Sequence, residues 1–176
     1  MDERHFVTGT FQSHASYVSS KKYGMIRDNI VRTCADCVIV NERGEMLLGK
    51  RNIKPWPDWW IIGGGMKPGE SFEAAVVRNL KREINLSIDP TRFRHLNHYS
   101  FVWARRAEPP QENGCHDVSI MMVLFISDEE VRRIKFNSEY REIQWILPGA
   151  VITADFHPAV RKIAEDLVGS FLFLKR

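Results

Sequence analysis

Apolar and polar positions along the chain fall into two periods. Cys34-Ala-Asp-Cys-Val-Ile-Val40 is a nearly continuous apolar run of the kind a buried strand carries. The turn residues Asn41-Glu-Arg-Gly44 follow it, and Glu45 to Lys50 reads as its hairpin partner. A loop punctuated by Pro55 and Pro57 leads into a short apolar strand, Trp59 to Ile62, which runs into the turn Gly63-Gly-Gly65. The period then lengthens. Phe72, Ala75, Val76, Leu80 and Ile84 recur at helical spacing, Ser71 is placed as an N-cap, and Glu73 falls in the positive first turn, which predicts a helix to about Ile84. Arg94 to Trp103 and Val118 to Ile126 read as strands around a polar loop containing Pro109, Pro110 and Gly114. Glu142 to Ile146 reads as one more strand, and His157 to Val168 as a closing helix with Pro158 in its first turn. Residues 1 to about 25 show no sustained period and read as an extension of uncertain structure before a single domain, residues 26–176. Strands on both sides of a central helix predict an α/β fold with a mixed sheet packed between helices.

Composition narrows the class. With 176 residues, 44% of them hydrophobic, the chain can bury a core without disulfides or a structural metal. A mean hydropathy of −0.29 with 8 Pro and 11 Gly excludes collagen-like, disordered and membrane-embedded classes. Lys and Arg number 25 against 22 Asp and Glu, spread along the chain without a basic block. That balance suits an anionic small molecule at one site, so neither a nucleic-acid nor a membrane partner is expected. Met1 to His5 carries no basic cluster leading into an apolar run, and a cytoplasmic location is expected. The odd set Cys34, Cys37 and Cys115 fits free thiols in a reducing compartment. Cys34-x-x-Cys37, with Cys115 and His116, invites a zinc reading, but the pair lies inside a strand pattern that turns its two side chains to opposite faces.

The chemistry concentrates between Gly64 and Leu86, in Gly64-Gly-Met-Lys-Pro-Gly-Glu70-Ser-Phe-Glu-Ala-Ala-Val-Val-Arg78-Asn-Leu-Lys-Arg-Glu83-Ile-Asn-Leu86. A strand, a glycine-rich turn and a helix bearing Arg and Glu form a natural diphosphate and metal site, since close backbone approach and the helix dipole both favour anions. The Gly64 carbonyl is available to a cation, and residues 79, 82 and 83 lie within one helical turn, aimed at one cluster.

This stretch resembles the signature of the Nudix hydrolase family. Gly64, Glu70, Arg78, Leu80, Glu83 and Leu86 fall on signature positions, with Trp60 and Glu139-x-x-Glu142-x-x-Trp145 as flanking features; the resemblance covers about residues 31–150. It implies a Nudix-type α/β/α sandwich and Mg²⁺-dependent hydrolysis of a nucleoside diphosphate derivative. Asn79 and Arg82 stand where the signature has two further glutamates, and Asn85 stands for its glycine. Asn79, Arg82 and Glu83 sum to zero formal charge, which supports a single Mg²⁺ or Mn²⁺ and not a cluster.

The same depletion marks the GDP-mannose mannosyl hydrolase branch, which this chain also resembles at Asp36, the run Arg43 to Arg51, and Trp60. That resemblance implies a nucleotide-sugar substrate attacked at the anomeric carbon, with a nucleoside diphosphate leaving group. It places the metal on Gly64, Glu83 and Glu139, the diphosphate near Arg51, Arg78 or Arg82, and the sugar near Asp36. Tyr140 stands where the branch has its base and Glu139 where it has a neighbouring metal ligand, so that Glu139 or Tyr140 lies where a base would be sought, and Gly65 stands where the branch has a diphosphate-binding Arg. Glu70 and Arg78 read as an ion pair bracing the catalytic loop, Trp60 as structural, and Trp56 or Trp59 as a base-stacking face. His98 and His116 read as core or edge histidines, either of which could replace the missing base. Relatives on this fold often form homodimers. Two rivals stand beside this reading: a Nudix pyrophosphohydrolase cleaving at phosphorus, and a nucleotide-binding module without turnover.

Overall fold

The computed structural model describes residues 5–174, so the sequence reading of Met1 to Arg4 lies outside the described residues. The frame is a seven-stranded mixed sheet built around β1 (Val31–Val40). Along one edge β1 runs parallel to β6 (Cys115–Phe125), which pairs antiparallel with β5 (Arg94–Trp103). The other edge is divided. Cys34 to Cys37 pair with β4 (Ile62–Gly65), while Val40 pairs with β2 (Met46–Arg51). β2 in turn carries β3 (Trp59–Trp60) and β7 (Tyr140–Ile146).

Strand alternation explains the layers. Ala35, Cys37 and Ile39 face a core completed by Ala75, Val76, Leu80 and Ile84 of α2 (Phe72–Ile84). Val38 and Val40 face the opposite core, closed by Val160, Ile163, Ala164 and Leu167 of α5 (Pro158–Leu174). Leu80 and Ile84 are fully buried, so each stabilises the docking of α2 by roughly 1.5–3 kcal/mol. The result is the α/β/α sandwich expected. It also puts Cys34 and Cys37 on opposite faces, with all three thiols free.

α2 begins where the sequence suggests, with the Ser71 hydroxyl accepting from the Ala74 amide. It ends on Asn85 in the left-handed region (φ 55°), which accounts for asparagine in place of glycine: after glycine it is the residue that best tolerates this cap.

Within the extension, whose structure the sequence leaves open, α1 (Ser20–Arg27) forms across its end. One stretch needs correction. The apolar run at 59–62 is split at Ile61, and Gly63 to Gly65 belong to β4 and not to a turn. Two short helices were not foreseen. α3 (Asp128–Arg133) starts with a capping box between Ser127 and Glu130, and α4 (Pro148–Thr153) has Pro148 in its first turn. No helix among the described residues is long and apolar enough to cross a membrane.

Candidate active site

Where β2 and β4 share one edge of β1, the sheet opens over a cavity of about 260 Å³. Its walls carry six basic side chains (Arg27, Arg32, Arg51, Lys54, Arg82 and Arg106) and four acidic ones (Asp36, Glu108, Asp117 and Glu139). Gly63 to Gly65 form one rim, and Trp60, Phe101 and Trp103 supply an apolar wall. Trp60 is buried with its ring edge-on to both Phe101 (5.3 Å) and Trp103 (5.2 Å). Trp59 lies elsewhere, under the Lys50 ammonium and edge-on to Phe156, and does not line the cavity. Trp56 packs on His157.

The basic groups differ in how far they are already spent. Asp117 accepts from Arg27 Nη2 at 2.9 Å, from Arg32 Nε at 3.0 Å and from Trp103 Nε1 at 3.1 Å. Arg106 is held by Asp28 and by the carbonyls of Glu108 and Gly114. Lys54 donates to Gln111. Arg51 makes no ion pair among the described residues. A slip in the β2–β7 register between Lys50 and Arg51 sets Arg51 opposite Tyr140. Of the four buried side-chain nitrogen or oxygen atoms without a partner among the described residues, three belong to cavity arginines: Arg27 Nε, Arg51 Nε and Arg106 Nη2. Each such donor left unpaired costs about 1–3 kcal/mol, while the charges of Arg27 and Arg106 are already met by Asp117 and Asp28.

Asp36 reaches the same cavity from the middle of β1, and its carboxylate accepts from the Ser119 hydroxyl. Gly63, at φ +150°, makes this possible, since a Cβ there would collide with the Asp36 carboxylate and backbone. Burial pushes the Asp36 carboxyl up to about 6 from the usual 3.8; the Ser119 hydrogen bond pulls it down, and Glu83 adds repulsion. The folded protein therefore binds this proton more tightly than the unfolded chain. Its contribution is complete below pH 3.8 and is lost as pH rises through about 6. Asp36→Asn cannot ionise, so its stability relative to the native chain should gain about 3 kcal/mol between about pH 4 and pH 8 in urea unfolding curves. A difference that stays level across that range would count against an ionised, desolvated carboxyl.

Beside the cavity, Glu70 and Arg78 form a two-pronged pair, with Nη2 to Oε2 at 2.7 Å. Arg78 also donates to the Gly65 carbonyl (2.9 Å) and to Asn79 Oδ1 (2.8 Å), and the Lys67 amide donates to Glu70. The contacts go to Gly65 at the end of β4, to the loop after it and to α2, so the pair braces the glycine rim, and neither residue lines the cavity.

Glu83 is buried beneath the rim, where it accepts from the Tyr140 hydroxyl, from Arg82 and from the Gly63 amide (3.4 Å). Burial raises the Glu83 carboxyl, while the Tyr140 and Arg82 contacts lower it. Tyr140 reaches this position by lying flat over Gly49, where any Cβ would strike its ring. Burial, and then the neighbouring Glu83 charge, push the Tyr140 phenol far above its ordinary range, so it keeps its proton and donates it. Glu139 lines the cavity and is fixed by Asn137, whose Nδ2 donates to it at 3.2 Å. The structure thus brings Asp36, Arg51, Gly64, Arg82 and Glu139 to one cavity, sets Glu83 and Tyr140 under it, and leaves Glu70, Arg78 and Trp59 outside. His116 Nε2 hydrogen-bonds the Ser100 hydroxyl, and His98 is exposed on β5.

A divalent ion on Gly64, Glu83 and Glu139 meets an occupied position. Asn79 Nδ2 donates to the Gly64 carbonyl at 3.1 Å, and Arg82 contacts Glu83 and lies 3.8 Å from Glu139. Among the described residues no group of three or more His, Cys, Asp or Glu side chains is placed to hold a metal. As they stand, these donors do not fit a resident Mg²⁺ or Mn²⁺.

The family model described as NUDIX domain matches residues 31–167. A nucleoside triphosphatase, NudI, of Enterobacter sp. (strain 638) is 26% identical over 129 residues, which is 71% of this chain and 89% of that protein. Two solved structures share the fold. A MutT NUDIX hydrolase from Burkholderia pseudomallei superposes with a TM-score of 0.63 at 21% identity, over 78% of this chain and 98% of its own. The dihydroneopterin triphosphate pyrophosphohydrolase of E. coli superposes with a TM-score of 0.61 at 18% identity, over 81% and 99%.

Proposed function

Because the chain belongs to the NUDIX domain family, we propose that it hydrolyses a nucleoside diphosphate derivative whose phosphates lie against the arginine wall of the cavity, and that the derivative is a nucleotide sugar. The observation that carries the reading is Arg51, whose guanidinium lines the cavity and makes no ion pair among the described residues, with the half-exposed Arg82 beside it on the same wall. They offer hydrogen bonds and positive charge together, which a diphosphate accepts and a neutral ligand does not. Members of this family generally use a divalent metal such as Mg²⁺. The donors on α2 and before β7 do not fit one as they stand, because Asn79 and Arg82 already occupy them.

In this reading Asp36 accepts a sugar hydroxyl, and Arg51 with Arg82 neutralises the departing diphosphate. The oxygen of water bonds to the anomeric carbon as the carbon–oxygen bond to the diphosphate breaks. Glu139, the carboxylate nearest Arg82 on the cavity wall, takes the water proton, and the bond's electrons leave with the diphosphate. Tyr140 keeps its proton and orients Glu83. The three buried thiols, all free, support a reducing compartment such as the cytoplasm.

A second reading has its own support. The relative at 26% identity is named for triphosphate hydrolysis, which cleaves at phosphorus. Turnover of GDP-sugars, ADP-ribose and nucleoside triphosphates in ¹⁸O-water, with Mg²⁺ and separately with EDTA, tests the choice. The sugar reading expects the label in the released sugar. Label in a phosphate product moves the assignment to the second reading, and tight binding without product leaves a binding module.

A further inference from the structure

We infer that the guanidinium of Arg82 is the resident cation of this site, held by the two carboxylates a divalent ion would need. The inference deepens the phosphate-binding reading above and rests on it for the identity of the ligand, but not for the identity of the cation.

Glu83 is 1% exposed and comes from the last turn of α2; Glu139 comes from the segment before β7. An ionised carboxylate so deeply buried requires a positive partner, and the partner that reaches it is Arg82. The same guanidinium lies 3.8 Å from Glu139 and lines the cavity. It also sits against the glycine rim, since a Cβ built on Gly64 would lie 3.3 Å from Arg82 Nη2. The neighbouring amide completes the arrangement, because Asn79 Nδ2 donates to the carbonyls of both Gly64 (3.1 Å) and Ala35 (3.3 Å). An N–H donor thus faces the one backbone oxygen of the rim that a hard cation would seek. The two side chains replace metal–oxygen bonds with hydrogen bonds and carry the positive charge within the chain.

The Arg82 side chain remains half exposed and lines the cavity while its Nη2 contacts Glu83 and its Nη1 lies 3.8 Å from Glu139. A phosphate entering the cavity meets this guanidinium and Arg51 in the absence of any ion. Metal and Arg82 exclude one another, because both require the same carboxylate oxygens.

The test uses the full chain and two probes, Mn²⁺ alone and ADP. Mn²⁺ binding is read by the loss of the free-ion paramagnetic resonance signal, without nucleotide. The native chain should take up no Mn²⁺ at millimolar concentration. Arg82→Ala, which frees both carboxylates, should bind it at least about tenfold more tightly, and adding Glu83→Gln should abolish that gain. Arg82→Lys keeps a charge at the position and should hold Mn²⁺ off, which separates charge from shape. ADP should bind the native chain in EDTA within about threefold of its affinity in Mg²⁺, and Arg82→Ala should weaken binding in EDTA by about tenfold or more. Tight Mn²⁺ uptake by the native chain, or ADP binding that depends on Mg²⁺, would overturn the inference. Failure of ADP and other nucleotides to bind at all would remove the phosphate reading, while the Mn²⁺ series would still decide the role of Arg82.

Discussion

Replacing Asp117 by alanine is expected to lower the unfolding free energy by about 3–5 kcal/mol, the range seen when one partner of a buried charge cluster is removed. Asp117 is 3% exposed and its two oxygens serve Arg27, Arg32 and the Trp103 indole. Arg27 is itself 4% exposed and has no second carboxylate among the described residues, so truncation strands a buried positive charge instead of merely losing a contact. The loss should register in urea as a lower midpoint at unchanged slope. Asp117→Asn keeps an acceptor and should cost less. A loss below about 1 kcal/mol for the alanine variant would place the two arginines outside any shared cluster.

Arg51→Met should behave in the opposite way, leaving the fold intact and removing the activity. Arg51 lines the cavity, makes no ion pair among the described residues, and carries a buried Nε without a partner. Methionine retains the apolar stem and discards the unpaired donor, so the unfolding midpoint should stay level or rise. Stabilisation of a departing diphosphate by a fixed donor is worth about 10²–10³ in rate, and kcat/KM should fall by that factor. Measured on one preparation, a rate loss without a stability loss separates a ligand-binding arginine from a structural one. An equal loss in both, or in neither, would remove Arg51 from the phosphate site.

These contrasts show which parts of the molecule were readable along the chain. The strands and α2 were legible because the nearly continuous apolar run around Cys37 and the helical spacing from Phe72 to Ile84 reflect burial on two faces of one sheet. The glycine run misled, since three glycines look like a turn, whereas β1 pairs with them residue for residue from Cys34↔Gly65 to Asp36↔Gly63. The helix at Asp128 was available from Ser127-x-x-Glu130, a local signal that does not need the fold.

At the site, Asp36 could be singled out because a carboxylate on an apolar strand demands a partner. The same argument applies to Asp117, next to the run Val118 to Phe125, and would have led to Arg27 and Arg32. The exclusion of Trp59 was not legible. Which of two adjacent tryptophans turns toward the cavity depends on the register in which β3 pairs with β2 (Lys50↔Trp59, Gly49↔Trp60), which the loop between them does not specify. The departures at Asn79 and Arg82 were visible as missing charge. That an amide and a guanidinium fill the vacated space required coordinates.

The helix α1 precedes the segment matched by the family model, residues 31–167, yet it delivers Arg27 to the cavity wall, while Asp28 just beyond it anchors Arg106. Trimming the protein to its homologous portion would therefore not shave off an ornament. It would remove part of the cavity wall and leave Asp117 and Arg106 each short of a counter-charge, so that a cut outside the homologous segment reaches the site inside it.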